Sequence, residues 1–114
     1  MHELGIVFHV IRAVEDTAQK NDAAQVCSVT LELGEVSGVV HEELLSCWKW
    51  AVQKHPIMAG AALCLEPIPA VTFCQSCGKT YPTVPQGKLC PHCGSADTFL
   101  QQGSEITIKQ IAVR

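Results

Sequence analysis

Leu4, Val7, Phe8, Ile11, Val14 and Ala18 recur at three- and four-residue intervals, with Arg12, Asp16, Gln19 and Lys20 between them. That spacing predicts an amphipathic helix over about 4–20, stopped by Asn21-Asp22. "VCSVTLEL" alternates instead, with Cys27, Val29, Leu31 and Leu33 on one side and Ser28, Thr30 and Glu32 on the other. It reads as a half-buried strand ended by Gly34. Leu44, Leu45, Trp48, Ala51 and Val52 return to the helical period over about 41–54, and His55-Pro56 closes this second helix. "GAALCLEPIPAV", 60–71, predicts another strand, and its prolines place it at a sheet edge. "EITIKQIAV", 105–113, predicts a last strand.

Between those strands, residues 72–102 are poor in aliphatics and rich in Cys, Gly, Pro and Gln. Such a stretch cannot build a core from side chains and needs a staple. The expected architecture is therefore α+β: a small three-stranded sheet packed on two helices, with an inserted four-cysteine, zinc-ribbon-like module. The expected domains are 1–71 plus 103–114, and 72–102.

The staple is legible as Cys74-x2-Cys77-x12-Cys90-x2-Cys93, in the knuckles "CQSCG" and "CPHCG". The x2 spacing lets two thiolates reach one metal, and the glycine permits the tight turn around it. Two knuckles make a closed tetrahedral site, which is structural because no position stays open for substrate. Zinc is the expected occupant; iron is the rival, because rubredoxin-type carriers use the same knuckles. Tyr81 and Phe73 are placed to shield either metal, and His92, inside the second knuckle, reads as a solvent-facing residue or a pH-sensitive neighbour of the ligands.

Composition narrows the function. The chain of 114 residues is 47% apolar with a net charge of −3, and it has no basic run. That argues against nucleic acid as a partner. No apolar stretch approaches the roughly 18 residues of a membrane span, and the N-terminus lacks the basic flank of a signal peptide. Seven cysteines, four of them in two tight pairs, fit reduced thiols and a metal site in the cytoplasm better than disulfides. The other three, Cys27, Cys47 and Cys64, fall in apolar patterns where cysteine acts as a small hydrophobe. His9 reads as a surface or packing residue, and the acidic start of "HEE", 41–43, as a complement to the helix dipole. Trp48 is expected in the core with Trp50 partly exposed, and Trp50 with Met58 forms a candidate interface patch. "GEVSG", 34–38, lacks the lysine and spacing of a phosphate loop, and no nucleophile or acid–base pair stands out. An enzyme is not expected.

The opening "MHEL" supplies different chemistry. Met1 is expected to be retained before a residue as large as His2, which would leave a free amine, a backbone nitrogen and an imidazole within one residue of each other, a potential metal chelate. Together, "MHEL", "LELGEVSGV" (31–39), the four-cysteine module at 74–93 and a short final strand resemble the HypA/HybF family of hydrogenase-maturation nickel metallochaperones. The resemblance covers essentially the whole chain. It implies Ni(II) as cargo at His2, with the Met1 amine and the Glu3 backbone, and zinc at Cys74, Cys77, Cys90 and Cys93. It also implies a HypB-type GTPase and a [NiFe]-hydrogenase large subunit as partners of a monomer or dimer. One departure stands out. The family often carries an acidic residue just after the "GxxS" turn, where this chain has Val40, followed by His41 and Glu42 as the available substitutes. A rubredoxin-like electron carrier and a zinc-ribbon adaptor are the competing functions.

Overall fold

A computed structural model describes residues 2–114. Helix α1 is Glu3–Lys20, strand β1 Val26–Gly34 and helix α2 His41–Ala51. Two 3-10 turns, Val52–Lys54 and Pro56–Met58, lead to β2, Ala62–Ile68. Then follow β3, Val71–Cys74, β4, Thr80–Pro82, and a single helical turn at Thr83–Gln86. Strands β5, Thr98–Gln102, and β6, Ile106–Val113, complete the chain. The α+β class is as expected, with one three-stranded sheet in the order β2-β1-β6. A second sheet, in the order β4-β3-β5, lies inside the region that the sequence marked only by its staple. Its antiparallel strands pair Thr72 with Tyr81 and Phe73 with Phe99.

The chain forms two compact units. One holds residues up to Glu32, with Val39–Glu66 and Thr107–Arg114; the other holds Leu33–Gly38 and Pro67–Ile106.

In the first unit, α1 begins at Glu3 with His2 as an extended N-cap, and ends where Asn21 Nδ2 donates to the Thr17 carbonyl and Asp22 takes a φ of +53°. Asparagine and aspartate tolerate that left-handed turn better than most residues. The buried stripe is Glu3, Val7, Val10, Ile11, Val14 and Ala18. This corrects the expected face: Leu4 and Phe8 are 39% and 40% exposed. A buried carboxylate must be hydrogen-bonded, and Glu3 is turned inward onto the Val40 N–H, which carries Leu4, about 100° further round the helix, outward.

Helix α2 buries Leu44, Trp48 and Ala51, and the Trp48 indole donates to the Ala61 carbonyl at 2.9 Å. Leu45 is exposed against expectation, whereas Trp50 is half exposed as expected. The helix stops at Ala51 rather than 54, its last turn tightening to 3-10 before His55-Pro56, because the residue preceding a proline is driven out of the helical region. Met58 is wholly buried, so it forms no surface patch with Trp50.

In β1, Val29, Leu31 and Leu33 are buried as alternation predicts, but the period slips once near the start. Val26 is inside and Cys27 is exposed, and Cys64 on β2 is exposed too. Neither cysteine acts as the small core hydrophobe that its surroundings suggested. The edge position expected from the prolines holds for β2. The stretch 60–71 is not one strand, however: it breaks at Pro69-Ala70, and Val71 opens the second sheet.

In the second unit the "LGEVSG" stretch has a structural task. A Cβ on Gly34 would lie 1.9 Å from the Gly103 carbonyl oxygen, so only glycine lets the two backbones meet. The Glu35 carboxylate accepts the Ala70 N–H at 2.8 Å, just where β2 gives way to β3.

Candidate metal centres

The two knuckles repeat one piece of backbone. The Cys74 N–H donates to the Lys79 carbonyl and the Gly78 N–H to the Cys74 carbonyl; the Cys90 N–H donates to the Ser95 carbonyl and the Gly94 N–H to the Cys90 carbonyl. Gly78 and Gly94 take φ values of +74° and +76°, which a side chain would strain. The turns aim four Sγ atoms at one point, all within 4.8 Å of one another. Cys74–Cys93 and Cys77–Cys90 are 3.6 and 3.7 Å apart. A tetrahedron with metal–sulfur bonds of about 2.3 Å has edges of about 3.8 Å, so this donor set fits one thiolate-bound metal.

The surroundings bias the thiols differently. Burial pushes the Cys90 thiol up, but the His92 and Cys93 N–H groups and the neighbouring sulfurs outweigh it and bring the group down to about 7. At Cys93 the Ser95 N–H lowers the value, but contact with Cys74, burial and the other two sulfurs win and push it up to about 11. A metal therefore has one thiol that ionises readily and at least one whose proton it must displace. His92 contributes its backbone, with its N–H 3.4 Å from the Cys90 sulfur, and its residue is exposed. Tyr81 packs with Cys74 and Cys90 in the small buried cluster of this unit, its hydroxyl donating to the Gly87 carbonyl. Phe73 instead pairs with Phe99, ring centres 5.4 Å apart.

The second candidate lies where α1 starts. Met1, whose amine the sequence assigned to nickel, lies outside the described residues. His2 is exposed and Glu3 is 6% exposed. The Val40 N–H, 3.1 Å from Glu3 Oε2, holds the Glu3 carboxyl below its ordinary 4.5; its own N–H helps and burial opposes. His2, Glu3, Leu4, Glu43, Ser46 and Cys47 line one open cleft of about 320 Å³. His41 and Glu42, the substitutes expected from the sequence, are not among the lining residues. Glu43 and Cys47 are, one turn apart on the same face of α2. Sequence reasoning passed over both as a helix-dipole residue and a packing residue, although their four-residue spacing was the available signal. His9 is exposed as expected, and the His55 ring lies 3.0 Å from Glu15 in a half-buried pair.

A model of the family "Hydrogenase/urease nickel incorporation, metallochaperone, hypA" matches residues 1–113. The chain belongs to the HypA family. Among its relatives, the hydrogenase maturation factor HypA of Albidiferax ferrireducens is 33% identical over 113 residues, covering 99% of each chain. That of Dechloromonas aromatica is 35% identical over the same length, again covering 99% of each. The solution structure of the Ni metallochaperone HypA from Helicobacter pylori shares the fold with a TM-score of 0.76 at 23% identity, covering 99% of this chain and 97% of that one. A second solution structure of a HypA protein gives 0.79 at 22% identity, covering 100% and 97%. Among the described residues no helix is long and apolar enough to cross a membrane.

Proposed function

We propose that this HypA-family chain is a cytoplasmic nickel carrier rather than an enzyme. It binds Ni(II) at His2, with the Met1 amine and the Glu3 backbone, and hands it on during [NiFe]-hydrogenase maturation. Zinc at Cys74, Cys77, Cys90 and Cys93 holds the ribbon. The domains serve these two tasks, 1–71 with 103–114 for nickel and 72–102 for zinc. A HypB-type GTPase and the hydrogenase large subunit are the partners, met by a monomer or a dimer.

The observation that carries this reading is the placement of His2 and Glu3 at the first turn of α1, in an open cleft. The first N–H groups of a helix have no partner within it. Nickel can therefore displace the amide proton there without breaking a helical hydrogen bond. The helix N-terminus also favours the negative charge that this leaves. The amine, the His2 amide and the imidazole close fused five- and six-membered rings, a nitrogen set suited to planar Ni(II). The contrast with the cysteines supports a division of labour. Four converging sulfurs make a closed site that retains its metal, whereas an exposed, few-liganded site loads and releases. The same placement favours the carrier over an electron carrier or an adaptor, in which His2 has no task.

Titration calorimetry with Ni(II) on the zinc-loaded protein tests this. The native chain is expected to bind one nickel. His2→Ala, and a version with one residue added before Met1, should each bind at least tenfold more weakly. Equal binding by all three overturns the N-terminal site.

A further inference from the structure

Strand β2 leaves one edge of the first sheet uncovered. One hydrogen bond tells which of its backbone groups lie on that edge. The Ile68 carbonyl accepts the Glu35 N–H just past the end of β1, so the backbone of Ile68 faces β1. Backbone groups alternate in direction along a strand. Those of Ala62, Cys64 and Glu66 therefore face β1 too, and those of Leu63, Leu65 and Pro67 face away. Pro67 suits the outer side, where a missing N–H costs no ladder bond. Leu63 and Leu65 thus present N–H and C=O groups to an edge that no strand covers among the described residues. Ala61 closes the run at its start, because its N–H donates to the Met58 carbonyl and its own carbonyl accepts the Trp48 indole.

Beside this edge a groove of about 430 Å³ runs between α2 and the start of β2. Leu45, Trp48 and Val52 line its helix side and Leu63 its strand side. Leu45 is 42% exposed and Leu63 half-buried, so apolar surface lies open next to the free strand edge. Lys49 is the one charged residue in the lining. It is exposed and has no ion-pair partner among the described residues. A second copy of the chain would meet this patch with the same patch, as two-fold symmetry requires. That sets lysine toward lysine with no carboxylate in either lining, so a partner that brings the carboxylate fits better than this chain itself.

We infer that this edge and groove take a short extended segment of a partner protein as an added strand. Its backbone bonds to Leu63 and Leu65, its alternate aliphatic side chains lie against Leu45, Val52 and Leu63, and its carboxylate meets Lys49. In this mode the main-chain bonds supply affinity and the groove supplies selectivity. Opposed residues of paired strands share a face, so every second side chain of the segment falls on the groove. Two outward residues before Pro67 limit the match to about five residues of peptide. None of these residues lines the His2 cleft, so a docked segment leaves the proposed nickel site open.

The test uses the zinc-loaded full chain and an acetylated pentapeptide of alternating valine and threonine ended by glutamate, followed by amide hydrogen exchange in NMR spectra. The amides of Leu63 and Leu65 should exchange fast in the free chain and slow at least tenfold with peptide, while those of Cys64 and Glu66 stay as they were. Two peptides N-methylated at opposite sets of alternate amides should differ, one losing binding and the other keeping it. Ending the peptide with lysine should weaken binding about threefold, and Lys49→Glu should reverse that preference. No protection of Leu63 and Leu65 at the solubility limit of the peptide, equal binding by both methylated peptides, or a preference that Lys49→Glu leaves unchanged overturns the inference. Protection that appears without peptide and grows with protein concentration, together with a doubled mass in sedimentation, assigns the edge to a second copy and overturns it as well.

Discussion

Glu3 shows how one side chain can carry two jobs. Its backbone belongs to the proposed nickel chelate, while its carboxylate, 6% exposed, ties α1 to the Val40 N–H. Its folded pKa lies below the ordinary 4.5, first because of the Val40 N–H. A carboxylate with a depressed folded pKa adds stability above the unfolded value and loses it as pH falls through the folded one. Glu3→Gln should therefore melt below the native protein at neutral pH. The gap should hold down to about pH 4.5 and close at lower pH. Thermal melts of the two proteins side by side check this, since both lose zinc to acid alike. A gap that widens in acid would contradict the assignment. "MHEL" advertised Glu3 as part of a metal motif, but its burial depends on an amide 37 residues away, which no local pattern encodes.

At the scale of elements, periodicity located both long helices and all three strands of the first sheet. It was less sure about which face points inward. On α2 the adjacent Leu44 and Leu45 both fitted the apolar stripe, yet only Leu44 is buried. Leu44→Ala should cost about 2–5 kcal/mol in urea unfolding of the zinc-loaded protein. Leu45→Ala should stay within about 0.5 kcal/mol. Equal losses would mean that Leu45 is covered in solution. The strands of the ribbon were not legible because they are only three to five residues long, so alternation has too few positions to register. The knuckles were legible because metal geometry fixes the spacing of the ligands along the chain.

At the scale of the molecule, the two units hold together by different means. In the first, α1, α2 and β1 contribute a run of buried Val, Leu, Ile and Ala, with Trp48 and Met58. In the second, the buried cluster is Cys74, Tyr81 and Cys90, with Cys77 against it, so the metal takes the place of a core. Removing zinc with a strong chelator should release about one metal per chain and collapse the amide NMR dispersion of residues 67–106. Dispersion that persists there without metal would show that the ribbon folds on its side chains alone. The same treatment with a mild chelator should strip added nickel and leave zinc in place.

The sequence by itself determined the class of fold, the four thiols and the N-terminal motif. Helical and strand periods are local, and ligand spacing in a knuckle is local too. Only the tertiary structure decided that Glu3 is a clasp and that Gly34 marks a backbone contact with Gly103. It also brought Glu43 and Cys47, rather than His41 or Glu42, beside His2. These are contacts between segments far apart in the chain, fixed by how α2 rests against α1 and by where two strands meet. Their energy comes from groups that the sequence pattern treats as unrelated.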